Sequence, residues 1–135
     1  MKILIIGLPG SGKTTLAEKL TKLLKASWVN ADSIREKYND WDFSKEGVLR
    51  QAKRMRNLAN GFKNKFVIAD FICPYQSGRN FFAPDYLIWM DTIRKGRYPT
   101  FDKSFEKPKV YDLRITKKAY NVNSIVLSIK NKMTY

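Results

Sequence analysis

Gly7-Leu8-Pro9-Gly10-Ser11-Gly12-Lys13-Thr14 fits the pattern G-x-x-x-x-G-K-[ST] at every fixed position, and that pattern is a phosphate cradle. Its glycines let the backbone N–H groups of Gly10, Ser11, Gly12, Lys13, Thr14 and Thr15 curl around phosphate oxygens, and a helix beginning there adds the positive end of its dipole. Lys13 is placed to reach the β- and γ-phosphates, and the Thr14 hydroxyl suits magnesium. The implied cofactors are therefore ATP and Mg2+. A glycine turn with a chance lysine is the alternative, and average residue usage makes that accident rarer than about one chain in a hundred of this length.

Two carboxylates close short apolar runs. Asn30-Ala31-Asp32-Ser33-Ile34-Arg35 follows one of them, and ligands of open α/β sheets gather beyond the carboxyl ends of the strands. Asp32 could there take a proton from an acceptor hydroxyl or help position magnesium, and Arg35 could clamp an anionic acceptor. The plainer role for Asp32 is to cap the following turn. Phe66-Val67-Ile68-Ala69-Asp70 ends on the second carboxylate, which suits Asp70 to magnesium, directly or through water, although Asp is also a common turn former.

Cations cluster in two places. Arg50, Lys53, Arg54 and Arg56 crowd one helical segment, with Arg50 and Arg54 on a shared face where like charges repel. That face is either solvated or sends an arginine into the cleft to bind phosphate or sulfate. Arg94, Lys95 and Arg97 fall in an irregular stretch; phosphoryl transfer needs cations over the migrating group, and a mobile loop can bring them.

Regular elements must position these groups. Lys2 to Gly7 reads as a buried parallel strand delivering the chain into the phosphate loop, and Lys13 to Lys25 as a helix with Leu16, Ala17, Leu20, Leu23 and Leu24 on one face. Further strands are predicted at 27–30, 65–72, 85–91 and 109–115, with helices over 46–60 and 117–133, the last turning Ala119, Val122, Ile125, Val126 and Ile129 inward. The alternation predicts a three-layer α/β/α domain around a mostly parallel five-stranded sheet. Arg94 to Pro108 is the one long irregular segment, and the stretch from about 92 to 108 is expected to form a short lid.

The 135 residues suit one domain over 1–135, and 44% hydrophobic with 13% aromatic residues supply a core. Cys73 is the only cysteine and there is no histidine, so an intramolecular disulfide and histidine acid–base chemistry are excluded and a zinc site is disfavoured. No run approaches the ~20 apolar residues of a membrane span and no signal-peptide pattern precedes the first strand, so the expectation is a cytoplasmic protein without a membrane partner. A formal charge of +14, with eleven basic against three acidic residues from Arg94 onward, favours phosphorylated or polyanionic partners or a solvated basic surface.

Taken together, these segments resemble P-loop kinases of the adenylylsulfate kinase type, which phosphorylate the ribose 3′-hydroxyl of adenylylsulfate. Asn30 to Arg35 resembles the family's D-G-D-N-x-R, with Asp32 and Arg35 matching and Asn30 and Ala31 departing; the resemblance makes Asp32 the catalytic carboxylate. Phe43-Ser44 resembles an F-S pair whose ring stacks on the acceptor's adenine. Asp70-Phe71-Ile72-Cys73-Pro74-Tyr75 resembles S-F-I-S-P-Y, departing at Asp70 and Cys73, with Arg79 following. Phe101 to Pro108 is a compressed likeness of F-T-G-I-D-S-P-Y-E-P-P, in which Phe101 forms the other side of an aromatic sandwich. The resemblance thus implies an acceptor site of Arg35, Phe43, Arg50, Ile72, Cys73, Pro74, Tyr75 and Phe101 with Asp32 catalytic, while the motifs themselves make Lys13 catalytic, place Arg94 and Arg97 on the nucleotide, and put Thr14 and Asp70 on the metal. It implies a small, anionic, adenylylsulfate-like acceptor and admits a homodimer. Asn30 to Arg35 is also similar to the N-R-D-D-Y-R of 5′-polynucleotide kinases, for which the basic surface would bind nucleic acid. A non-catalytic nucleotide-binding descendant is the third reading.

Overall fold

Among residues 1–96 and 99–133, which the computed structural model describes, five strands lie side by side: β1 (Lys2–Ile6), β2 (Ser27–Asn30), β3 (Val67–Asp70), β4 (Tyr86–Met90) and β5 (Leu113–Ile115). Their order is β2-β3-β1-β4-β5 and every pairing is parallel. The expected sheet is therefore present, and wholly parallel.

The period of two along β1 decides which layer each side chain joins. Ile3 and Ile5 pack with Leu16, Leu20, Ile125 and Ile129 from α1 (Lys13–Leu24) and α6 (Val122–Met133). Leu4 and Ile6 face the other way, among Ala52, Met55 and Ala59 of α3 (Lys45–Gly61) and Phe82 of α4 (Gln76–Phe82). A sheet buried on both faces explains why the strands read as unbroken apolar runs rather than alternating ones. Because β1 is central, the phosphate loop that follows it opens at the middle of the sheet's carboxyl edge, with the ends of β3 and β4 beside it.

Several boundaries differ from the sequence reading. α6 starts at Val122, five residues later than expected, because the Asn121 side chain caps it by accepting from the backbone N–H groups of Asn123 and Ser124; Ala119 is exposed before it. β5 starts only at Leu113, because Asp112 instead receives the Leu87 N–H on its carboxylate. Three helices absent from the sequence reading also bear on the site: α2 (Ala31–Tyr38), directly after β2, α4, after β3, and α5 (Pro99–Ser104), within the expected lid.

Candidate active site

The phosphate loop is built by contacts that tolerate no side chain. A β-carbon on Gly7 would lie 2.7 Å from the Met90 carbonyl oxygen and 2.8 Å from Ser11 Oγ. Gly12 sits at φ +100° at the start of α1, a left-handed conformation that glycine alone adopts freely. Lys13 folds back so that Nζ donates to the Leu8 carbonyl at 3.0 Å, with only 9% of the residue exposed. The Ser11 hydroxyl is fully buried and has no hydrogen-bond partner among the described residues, an orphan that an incoming phosphate oxygen would satisfy.

Asp70 closes β3 next to this loop and is 2% exposed. It accepts from Thr14 Oγ1 at 3.0 Å, from Trp28 Nε1 at 2.7 Å and from Asn30 Nδ2 at 3.2 Å on both oxygens. Burial pushes its carboxyl above the usual range, against the pull of those three donors and of Lys13. Because the Thr14 hydroxyl spends its proton on Asp70, its lone pairs can turn toward a cation. These hard oxygens fit magnesium, which takes one or two protein ligands and completes its shell with phosphate and water. Among the described residues no group of three or more His, Cys, Asp or Glu is placed to hold a metal.

A cavity of about 610 Å³ runs from the loop residues Pro9 to Thr15 past Asn30, Asp32 and Asp70 to Arg35, Phe43, Ile72, Cys73, Pro74 and Phe101. Asp32 is exposed in the first turn of α2, and the capping role belongs to Asn30, whose side chain accepts from the Ser33 N–H at 3.1 Å. Arg35 is buried, donates to the Asp40 carbonyl at 2.9 Å, and lies 4.4 Å from the centre of the Phe43 ring; burial lowers its pKa, with Asp40 opposing. Phe43 meets Phe101 edge to face, centroids 5.4 Å apart at 82°. A base stacked between two parallel rings needs them about 7 Å apart, so the pair must open for a base to slip between.

The segment after β3 is held from beneath. Cys73 has φ +44°, strained for a residue with a side chain, and burial pushes its thiol up to about 12. Arg79, 2% exposed on α4, donates to the carbonyls of Cys73 (3.0 Å), Pro74 (3.3 Å) and Glu106 (2.6 Å), and the Glu106 N–H returns to Pro74 at 2.7 Å.

Three expected contributors stand elsewhere. Arg50 is not among the residues lining the cavity; it pairs with Asp40 at 2.9 Å and Asp42 at 3.1 Å, and Arg54 joins Asp40 at 3.2 Å. The predicted repulsion along that helix is relieved by acids from the loop before it. Tyr75 precedes α4 outside the cavity, 5.6 Å from Lys45 Nζ. Arg94 is exposed and away from the lining, and Arg97 lies outside the described residues. Conversely, Lys19, Trp41, Lys118 and Tyr120 line the cavity unannounced. Lys118 and Tyr120 follow β5, so the rule that ligands gather beyond strand ends could have found them; half-exposed Trp41 carried no motif signal.

Sheet order, phosphate loop and lining together define the fold of the small P-loop kinases. Residues 3–122 match the AAA domain family model (AAA_18), and the chain belongs to that family. Among solved structures it is similar to the APS kinase of Mycobacterium tuberculosis in complex with AMPPNP and APS, at TM-score 0.80 and 18% identity over 99% of this chain and 97% of that one. It is also similar to the shikimate kinase of Aquifex aeolicus (TM-score 0.69, 16% identity, 99% of each chain). A gluconokinase from Sinorhizobium meliloti shares the fold at TM-score 0.60 and 12% identity, over 98% of this chain and 91% of that one. No curated protein matches the sequence. At these identities the likeness is one of fold.

Proposed function

We propose that this chain is an ATP- and magnesium-dependent phosphotransferase whose acceptor is a hydroxyl on a small, anionic, nucleotide-like molecule, with the 3′-hydroxyl of adenylylsulfate as the leading case. One observation carries the reading: a single cavity joins the phosphate loop to Asp32, Arg35 and an aromatic end formed by Phe43 and Phe101. A γ-phosphate in the cradle and a hydroxyl near Asp32 would share one cavity, which is what in-line transfer requires.

In this mechanism the loop amides and Lys13 hold the β- and γ-phosphates. Thr14 and Asp70 hold magnesium, which supplies charge neutralisation on those phosphates. Asp32 orients the acceptor hydroxyl and takes its proton, while Arg35 and the aromatic pair hold the acceptor's anionic and ring portions. Arg94, exposed and away from the cavity lining, would reach the migrating phosphoryl only if the lid swung inward. The test is transfer of labelled γ-phosphate from Mg·ATP to adenylylsulfate. A labelled phosphoadenylylsulfate supports the reading. If ATP binds but no label moves, and a 5′-hydroxyl oligonucleotide is labelled instead, the acceptor assignment is wrong; label on neither favours the non-catalytic reading.

A further inference from the structure

Thr92 lies just past β4 and does not line the cavity, yet its side chain reaches the phosphate loop. Its Oγ1 donates to the Ser11 carbonyl at 2.7 Å, across 81 positions of chain. Among the described residues, side chains hold two carbonyls of that loop. Lys13 Nζ takes the Leu8 oxygen from within, and Thr92 takes the Ser11 oxygen from the neighbouring strand end. We propose that Thr92 is a positioning residue for the phosphate loop: by holding the Ser11 carbonyl it fixes the Ser11–Gly12 peptide, so that the Gly12 N–H is aimed at the phosphates before a nucleotide arrives. This rests on the phosphotransferase reading above.

A trans peptide is planar and carries its N–H antiparallel to its C=O, so the direction of one sets the direction of the other. Ser11 and Gly12 line the cavity and Thr92 does not; a carbonyl drawn toward Thr92 therefore turns the Gly12 N–H to the cavity side. The neighbours of this peptide explain why it needs an outside tether. Gly10 and Gly12 flank Ser11 at φ +89° and +100°, and glycine resists rotation of an adjoining peptide less than any other residue. The Ser11 N–H turns back to the Leu8 carbonyl at 3.1 Å, which pins the peptide before Ser11 and leaves the one after it to Thr92. The tether is itself firmly rooted. The Asp91 N–H donates to the Ile115 carbonyl at 2.8 Å, and the Asp91 carboxylate accepts from Arg114 Nη2 at 2.6 Å and Nε at 2.9 Å. The Thr92 hydroxyl thus hangs from the sheet, and the donor it aims is ordered before the ligand binds.

The experiment measures, by calorimetry, the binding of ATP and of inorganic tripolyphosphate, each with Mg2+, to wild type, T92V and T92S, with thermal melts confirming that each is folded. T92V keeps the shape and loses the donor, whereas T92S keeps the donor. Affinity falls with the fraction of loops in the competent orientation, and a lost neutral hydrogen bond corresponds to about three- to tenfold. T92V should show that loss for both ligands alike, because both are held by the cradle, and T92S should return to within about twofold of wild type. The Gly12 amide resonance of the ligand-free protein should shift or broaden in T92V and stay in place in T92S. Should T92V not fold, T92A carries the same expectations. A folded T92V with wild-type affinity overturns the proposal, as does a T92S as weak as T92V. A loss for ATP that spares tripolyphosphate also overturns it, assigning Thr92 to the segment it roots instead of to the loop. Wild-type protein that binds ATP but not tripolyphosphate overturns this inference alone, whereas failure to bind ATP at all removes the underlying reading with it.

Discussion

Replacing Arg79 with Met keeps much of the buried stem and removes the guanidinium that ties three carbonyls together. The Cys73 bond is fully buried and that acceptor loses its donor outright. The Glu106 carbonyl lies nearer the surface and recovers part of its loss from water, and the Pro74 carbonyl keeps the Glu106 N–H. Counting about 2 kcal/mol for the first and about 1 for the second gives a loss of about 3 kcal/mol. For a domain of this size that is a fall of about 10 °C in melting temperature, readable by circular dichroism. The same loss frees Cys73 to relax from φ +44°, which lets Ile72 to Pro74 leave the cavity wall. The acceptor KM should therefore rise several-fold while ATP affinity holds. Arg79→Lys, a point charge that cannot fork to three oxygens, should fall between. A melting temperature within about 2 °C of wild type would refute the stability argument. A full fall in stability with an unchanged acceptor KM would refute the link to the site.

Lys13→Ala should abolish phosphate transfer while the protein remains folded, as circular dichroism would show; normal turnover would remove Lys13 from the chemistry. Asp32→Asn should lower kcat by about 100-fold or more with ATP affinity retained, and a defect confined to ATP binding would count against its role as a base. Hydrogen bonding from Arg50, then from the Asp42 N–H, holds the Asp40 carboxyl well below the usual carboxylate range. Its native pKa is thus depressed, so its contribution to stability is present above about pH 4 and lost as pH falls further. Arg50→Met should weaken the fold at neutral pH and flatten its loss of stability on acidification, seen in urea midpoints measured across pH 2–7. Equal midpoints to wild type throughout would show that the pair contributes nothing. Cys73, buried and with its thiol pushed up to about 12, should react with a disulfide reagent at pH 8 far more slowly in the native protein than in urea; equal rates would contradict its placement.

What could be read from the chain in advance divides along a physical line. The phosphate loop was legible because its constraints are local: the glycines at 7 and 12 answer to backbone angles and close contacts that the motif itself encodes. The strands were legible because a sheet buried on both faces demands apolar runs. α2 was hidden because Asn30 to Arg35 read as a strand-end motif, while the Asn30 side chain also starts a helix. Arg50 was misplaced because the acids that hold it, Asp40 and Asp42, come from an irregular loop whose path no periodicity describes. Trp28 shows the same limit: its indole reaches a carboxylate 42 residues away, a contact created by strand order alone.

The position of β1 at the centre of the sheet also governs when the site can exist during synthesis. Its neighbours are β3 and β4, so β1 waits for partners about 65 and 83 residues further along the chain. The close approach of Gly7 to the Met90 carbonyl makes the phosphate loop's final shape depend on a residue translated long after it. A nascent chain that has emerged only through α3 carries the whole loop sequence yet lacks both flanking strands. Closing such distant pairs is the slow step in parallel sheets. Competence to hold a nucleotide should therefore arrive late and abruptly, once β4 has left the ribosome and slid in beside β1.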